Sequence, residues 1–218
     1  VLAADLTLRG DAKQLVNPLA AIGTLVALFF VARLWGDERT TFAGTFVVDS
    51  FALAFKALFL LVLLAVLGIS WRFFAEGRYF QGEYYFLLVT AFIGMLLMPS
   101  SRDLLLLFVA LETVSVPAFV MVGLRKRDLY SSEAALKFFL IGVLSVALML
   151  LGMSFVYGFS WVTGLDAVAS AIGGLVAADT VETPPPAAVL PVIVGFGFKI
   201  SVVPFHFRAP DTYPGPPI

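Results

Sequence analysis

Apolar residues in this chain come in runs of about 20, the length an α-helix needs to cross the roughly 30 Å hydrocarbon core of a bilayer. Such runs lie over about 16–35, 49–70, 83–98, 103–124, 134–158 and 187–207. None keeps up a period-2 alternation, which argues for helices rather than barrel strands. Within lipid only helices and closed barrels satisfy the backbone. The expectation is an all-α fold: a polytopic transmembrane helical bundle of about six complete spans, forming a single transmembrane domain over 1–218. The chain is 61% hydrophobic and 13% charged, whereas soluble domains carry about 25% charged residues. A net charge of −1 gives no field to gather nucleic acid. The absence of cysteine excludes a disulfide scaffold, a cysteine-ligated zinc finger and a thiol enzyme. The sequence contains no Gly-rich phosphate loop, nucleophile elbow or metal-ligand cluster. Gly195-Phe196-Gly197 lacks the third glycine of a dinucleotide fingerprint and reads as helix packing.

Polar residues at the edges of the runs suggest boundaries. Ser100, Ser101 and Asp103 are candidate caps for the fourth span, and Ser131, Ser132 and Glu133 open the fifth. Tyr84 and Tyr85 suit a membrane interface. Thr183-Pro184-Pro185-Pro186 closes a long loop, 159–186, and reads as a stiff lead-in to the last span. The start, Val1-Leu2-Ala3-Ala4-Asp5, has no initiator Met and reads as the end of a helix that begins earlier; the Pro/Gly-rich finish reads as a second truncated edge. Basic residues set the expected orientation. Arg9, Lys13, Arg72, Arg78, Arg125, Lys126, Arg127 and Arg208 fall on one side of the membrane, and Arg33, Arg39 and Arg102 on the other. The positive-inside bias then puts loops 71–82 and 125–133 in the cytoplasm and loop 159–186 outside.

Lys56, Lys137, Lys199 and Glu112 do not obey the pattern, because they fall inside spans. A central charge costs roughly 2.5–3.5 kcal/mol on insertion scales, and four unrelieved would cost on the order of 10 kcal/mol. Pairing or a wet cavity must offset that. For Lys56, seven residues past Asp49 near a helix start, snorkelling to the interface is a plain alternative. For Lys137 the plain alternative is an i,i+4 surface pair with Glu133. Glu112 is too short and too central to snorkel, and Lys199 is flanked by apolar residues on both sides. Pro117 removes the helical hydrogen bond to the Thr113 carbonyl beside Glu112, and Pro204 does the same to Ile200 beside Lys199. Freed carbonyls can hold water or a cation, as in the discontinuous helices of transporters. The plainer reading is that proline is tolerated in membrane helices. His206, the only histidine, suits either a structural hydrogen bond or a proton relay. Burial disfavours the charged form of Lys and Glu, and pairing restores it. A lysine that alternates between a carboxylate and a second partner therefore takes up and releases a proton without a cofactor.

Two stretches carry a resemblance. DLLLLFVALETVSVPAFVMVGLRKRDLYSSEAALKFFLIGVLS (103–145) and GFGFKISVVPFHFRAPDTYPG (195–215) resemble the subunit N family of proton-pumping NADH:quinone oxidoreductase, respiratory complex I. The first is specific to that subunit; the second is shared with other antiporter-like subunits and with cation/proton antiporters. The resemblance implies an antiporter-like fold with a broken helix near the C-terminus, the chain covering helices two to seven. It implies that Glu112 is the motif glutamate of the fifth helix, Lys137 a lysine of the sixth, Lys199 the central lysine of the broken seventh, and His206 a histidine just past the break. It implies a non-redox subunit of an H+-translocating enzyme with no cofactor in this chain: NADH, FMN, iron–sulfur clusters and quinone would be bound by partner subunits. The implied partners are the antiporter-like subunit M, small membrane subunits and the bilayer, in a bacterial inner membrane. The alternatives are a subunit of a multi-subunit Na+/H+ antiporter or membrane-bound hydrogenase, or a truncated membrane fragment without function.

Overall fold

A computed structural model describes residues 1–7, 15–76, 81–124, 128–177 and 185–203. Its elements run α1 (Leu2–Thr7), α2 (Val16–Arg33), β1 (Arg39–Thr41), β2 (Phe46–Val48), α3 (Ser50–Glu76), α4 (Gln81–Leu97), α5 (Leu104–Val122), α6 (Leu129–Ser160), α7 (Leu165–Ala177) and α8 (Pro185–Lys199). The fold is the expected all-α membrane bundle. Among the described residues, five helices are long and apolar enough to cross a membrane: Val16–Arg33, Ser50–Trp71, Gly82–Ser100, Leu104–Val122 and Leu129–Ser160. Large apolar side chains cover their outer faces, among them Phe29, Phe30, Phe51, Leu61 and Ile69. In water such a surface would drive association; in a bilayer it meets its solvent.

The chain divides into two units: Val1–Ser101 with Leu106–Leu124, and Arg102–Leu105 with Arg125–Ile218. The first unit is built around a core of Val16, Ala20, Leu63, Leu67, Tyr84, Tyr85, Leu88 and Phe92, drawn from α2, α3 and α4. The two tyrosines expected to face an interface are buried here, Tyr85 at 2% exposure. Their burial follows from a polar contact that periodicity does not reveal. The Asn17 side-chain amide donates to the Leu67 carbonyl (2.9 Å) and to the Tyr85 hydroxyl (2.7 Å), and Ser70 donates to the same carbonyl (3.1 Å). In an apolar surround these bonds are strong and their loss leaves buried groups unsatisfied. Asn17→Ala is expected to cost about 1–3 kcal/mol, read as a lower thermal midpoint of the purified protein.

A short hairpin between α2 and α3 was not foreseen. β1 and β2 pair antiparallel, Arg39 with Val48 and Thr41 with Phe46, and left-handed residues Phe42, Ala43 and Gly44 turn the chain. Asp49 then caps α3 by accepting from the Ala52 amide at 2.7 Å. The Lys56 ammonium lies 4.7 Å from the centre of the Phe46 ring, a cation–π contact that agrees with snorkelling toward the hairpin.

In the second unit several boundaries move. Asp103 accepts from the Leu105 amide (2.8 Å), so it caps α5 as expected. Helix α6 starts earlier than expected: Asp128 accepts from the Tyr130 amide (3.0 Å). Ser131, Ser132 and Glu133 therefore lie inside the helix rather than at its mouth. The stretch expected as loop 159–186 contains helix α7, Leu165–Ala177. At 13 residues it is too short to register as a span. Pro185 and Pro186 occupy the first turn of α8, where a missing N–H costs nothing, instead of forming an extended lead-in. The last expected span, 187–207, is a helix only as far as Lys199; residues from 204 onward lie outside the described residues.

Candidate functional site

Glu112 lies on α5 in the first unit, half-buried and one turn before Pro117. The helix continues through the proline, so the Thr113 carbonyl has no amide N–H four residues on to accept. Around it the hydroxyls of Thr113 and Ser115 donate back to the carbonyls of Val109 (2.7 Å) and Leu111 (2.8 Å). Glu112 thus belongs to a polar, proline-loosened turn of an otherwise apolar helix.

Lys137 and Lys199 belong to the second unit. On α6 the Lys137 ammonium is 2.7 Å from the Glu133 carboxylate, an i,i+4 pair with the two side chains 48% and 61% exposed. That is the plain alternative for Lys137, and solvent screens an exposed pair of this kind so that it adds little to stability.

Lys199 is the last residue of α8. What stops the helix is visible in the backbone. Ser201 takes φ 54°, and its amide donates to the Phe198 carbonyl (3.3 Å), while the Val202 amide donates to the Gly197 carbonyl (3.0 Å). These are the two bonds of a Schellman cap, with serine where glycine is usual. The ammonium-bearing residue therefore ends a helix whose C-terminus favours positive charge. The break expected near Lys199 is thus set at Ser201. Pro204 and His206 lie outside the described residues, so His206 has no structural placement.

The end of α8 is held against α6. A Cβ on Gly152 would lie 2.5 Å from the Val192 amide nitrogen, and one on Gly195 would lie 2.6 Å from Met149 Cβ. Glycine at both positions lets the two backbones approach closely. Ser145 on α6 donates across this seam to the Gly195 carbonyl at 2.9 Å. Neither Ser145 nor Asn17 was foreseen as a contact. Their partners lie 50 to 68 residues away in sequence, and serine or asparagine in an apolar run does not announce whether it bonds locally or across helices. Among the described residues there is no group of three or more His, Cys, Asp or Glu that could hold a metal ion.

The profile of the family described as NADH:quinone oxidoreductase/Mrp antiporter, TM, matches residues 101–218, which include α5, α6 and α8 with Glu112, Lys137 and Lys199. The chain belongs to that family. Among its relatives is the NADH-quinone oxidoreductase subunit N 2 of Streptomyces griseus, 39% identical over 100% of this chain and 42% of the relative. Another is the F(420)H(2) dehydrogenase subunit N of Methanosarcina mazei, 36% identical over 100% of this chain and 45% of the relative. A chain of respiratory complex I from Thermus thermophilus superposes with TM-score 0.76 at 33% identity, covering 94% of this chain and 43% of that one. The resemblance to subunit N is thereby shown, and this member of the NADH:quinone oxidoreductase/Mrp antiporter family spans less than half the length of these relatives.

Proposed function

We propose that this chain is part of a proton-translocating membrane subunit of a quinone-reducing oxidoreductase of the complex I type, and that Glu112, Lys137, Lys199 and His206 form its proton relay. The observation that carries the reading is a lysine in the last turn of an apolar helix that a left-handed serine ends, in a chain of this family. An intramembrane charge beside a helix break is a transport element before it is a structural one. In the proposed cycle Lys199 and Glu112 each take up and release a proton on one path, burial and nearby charge setting the protonation of both. Quinone reduction in partner subunits drives these steps by an electrostatic or conformational signal. The redox groups belong to those partners: with no cysteine this chain has no thiolate to hold an iron–sulfur cluster. The neighbours would be antiporter-like subunit M and small membrane subunits, in a bacterial inner membrane with the connections about 71–82 and 125–133 cytoplasmic and the stretch 159–186, helix α7 included, outside. The name of the Methanosarcina relative favours leaving the electron donor open to F420H2 as well as NADH.

Glu112→Gln keeps the size of the side chain and removes its charge. It is expected to lower proton pumping by about a hundredfold in an assembled complex, measured by acidification of membrane vesicles beside quinone reductase activity. Normal values for both in an assembled complex would remove Glu112 from the path. A second reading, a subunit of a Na+/H+ antiporter, is favoured by the family's inclusion of Mrp proteins. It predicts sodium-dependent exchange in vesicles with no electron donor present.

A further inference from the structure

Hydroxyls on the membrane helices mostly bond within their own helix. Thr24, Thr90, Thr113 and Ser115 each donate to the carbonyl four residues back, at 2.7–2.8 Å, the usual satisfaction of a serine or threonine in an apolar helix. Ser145 departs from this. It is fully buried and gives its proton to another helix, to the Gly195 carbonyl at 2.9 Å. In a regular α-helix the carbonyl of residue 195 also accepts from the amide of residue 199. Ser145 therefore holds the peptide oxygen at the top of the final turn, the turn that carries Lys199. Below it, the amides of Ser201 and Val202 close the helix. A Cβ at Gly195 would lie within 3.0 Å of Met149 Cβ, Cα and N, so the two backbones approach closely here and the hydroxyl acts across a seam that has little slack.

We propose that Ser145 is a positioning residue for Lys199. Its hydroxyl fixes the height and rotation of the last turn of α8 against α6, and so fixes the root of the lysine side chain. The inference rests on the proton-carrier reading of Lys199. A hydrogen bond of this kind does not transfer the proton. It narrows the geometries from which the ammonium can exchange it, and misplacement by about 1 Å is enough to cost rate.

The test uses the complete membrane complex that contains this chain, with pumping expressed per assembled complex. Ser145→Ala removes the donor, adds no bulk and favours helix. It is expected to leave assembly and thermal midpoint near those of the unmodified complex and to lower the pumping rate about fivefold, the size of one neutral hydrogen bond. Ser145→Thr restores the donor and should recover the rate to within about twofold. A purely structural role would instead lower the amount or melting temperature of the complex and leave the rate of each assembled complex unchanged. That result, an unchanged rate in Ser145→Ala, or a Ser145→Thr complex that assembles but stays slow would overturn the proposal. Lys199→Ala measured alongside separates the two levels. Normal pumping there removes the carrier reading itself and the positioning role with it. Impaired pumping there with normal pumping in Ser145→Ala removes only the role given to Ser145.

Discussion

Replacing Lys199 with alanine is expected to lower the proton-pumping rate of each assembled complex by at least about a hundredfold, the smaller end of what a positioned proton-transfer group contributes. The backbone supports a clean experiment. The bonds that end α8 come from the amides of Ile200, Ser201 and Val202 to the carbonyls of Phe196, Phe198 and Gly197. None uses the lysine side chain, and alanine is the best helix former. Assembly should therefore survive and the loss should report the ammonium alone. Lys199→Arg sharpens the result. Guanidinium keeps the positive charge at the helix C-terminus but does not give up its proton. If the site needs only a charge, arginine works; the proton-carrier account expects it to fail about as badly as alanine. Vesicle acidification driven by the electron donor, normalised to the complex on a native gel, reads both variants.

The largest stability effect is expected from Gly152→Leu. The atoms a Cβ would meet at Gly152 are the Val192 amide nitrogen at 2.5 Å and the Pro191 carbonyl carbon at 3.0 Å, together with a Val192 methyl at 2.7 Å. Two of these are backbone, so no change of rotamer relieves the clash, and α6 and α8 must separate. Separation breaks the Ser145–Gly195 hydrogen bond as well. Overpacking of this kind costs about 3 kcal/mol or more when the neighbours cannot move. The expected result is a sharp drop in assembled complex and a lower melting temperature. Gly152→Ala should act in the same direction to a lesser extent. Gly158 lies on the same helix with nothing within 4 Å of a Cβ. Gly158→Ala should leave stability unchanged or raise it by up to about 1 kcal/mol through helix propensity. Equal effects at 152 and 158 would show that the α6–α8 seam is looser than described.

The long apolar runs were legible in the sequence because lipid imposes a length on them and lets polar residues mark their ends. Asp103 and the proline beside Glu112 could be read in this way. Helix α7 could not, since 13 residues with Gly173 and Gly174 among them fall short of a span and look like loop. The hairpin escaped for a similar reason: strands of three residues carry too little alternation to recognise. The span is expected over about 134–158, with two serines and a glutamate opening it; Asp128, three residues before the first serine, takes the free amide of Tyr130 and extends the helix over them. Glu112 and Lys199 stood out because a charge in an apolar run is conspicuous. Ser145, Asn17 and Tyr85 did not, because what matters about them is a partner on another helix, and polar residues of moderate size in membrane helices give no hint of theirs.

Glu112 and Lys199 are expected to serve one proton path. The most direct measurement is the pumping rate per assembled complex in Glu112→Gln, Lys199→Ala and the double variant. Residues acting as a unit are not additive, so the double variant is expected to be no slower than the slower single variant. Losses that multiply, or a single variant that pumps at the unmodified rate, would contradict the claim.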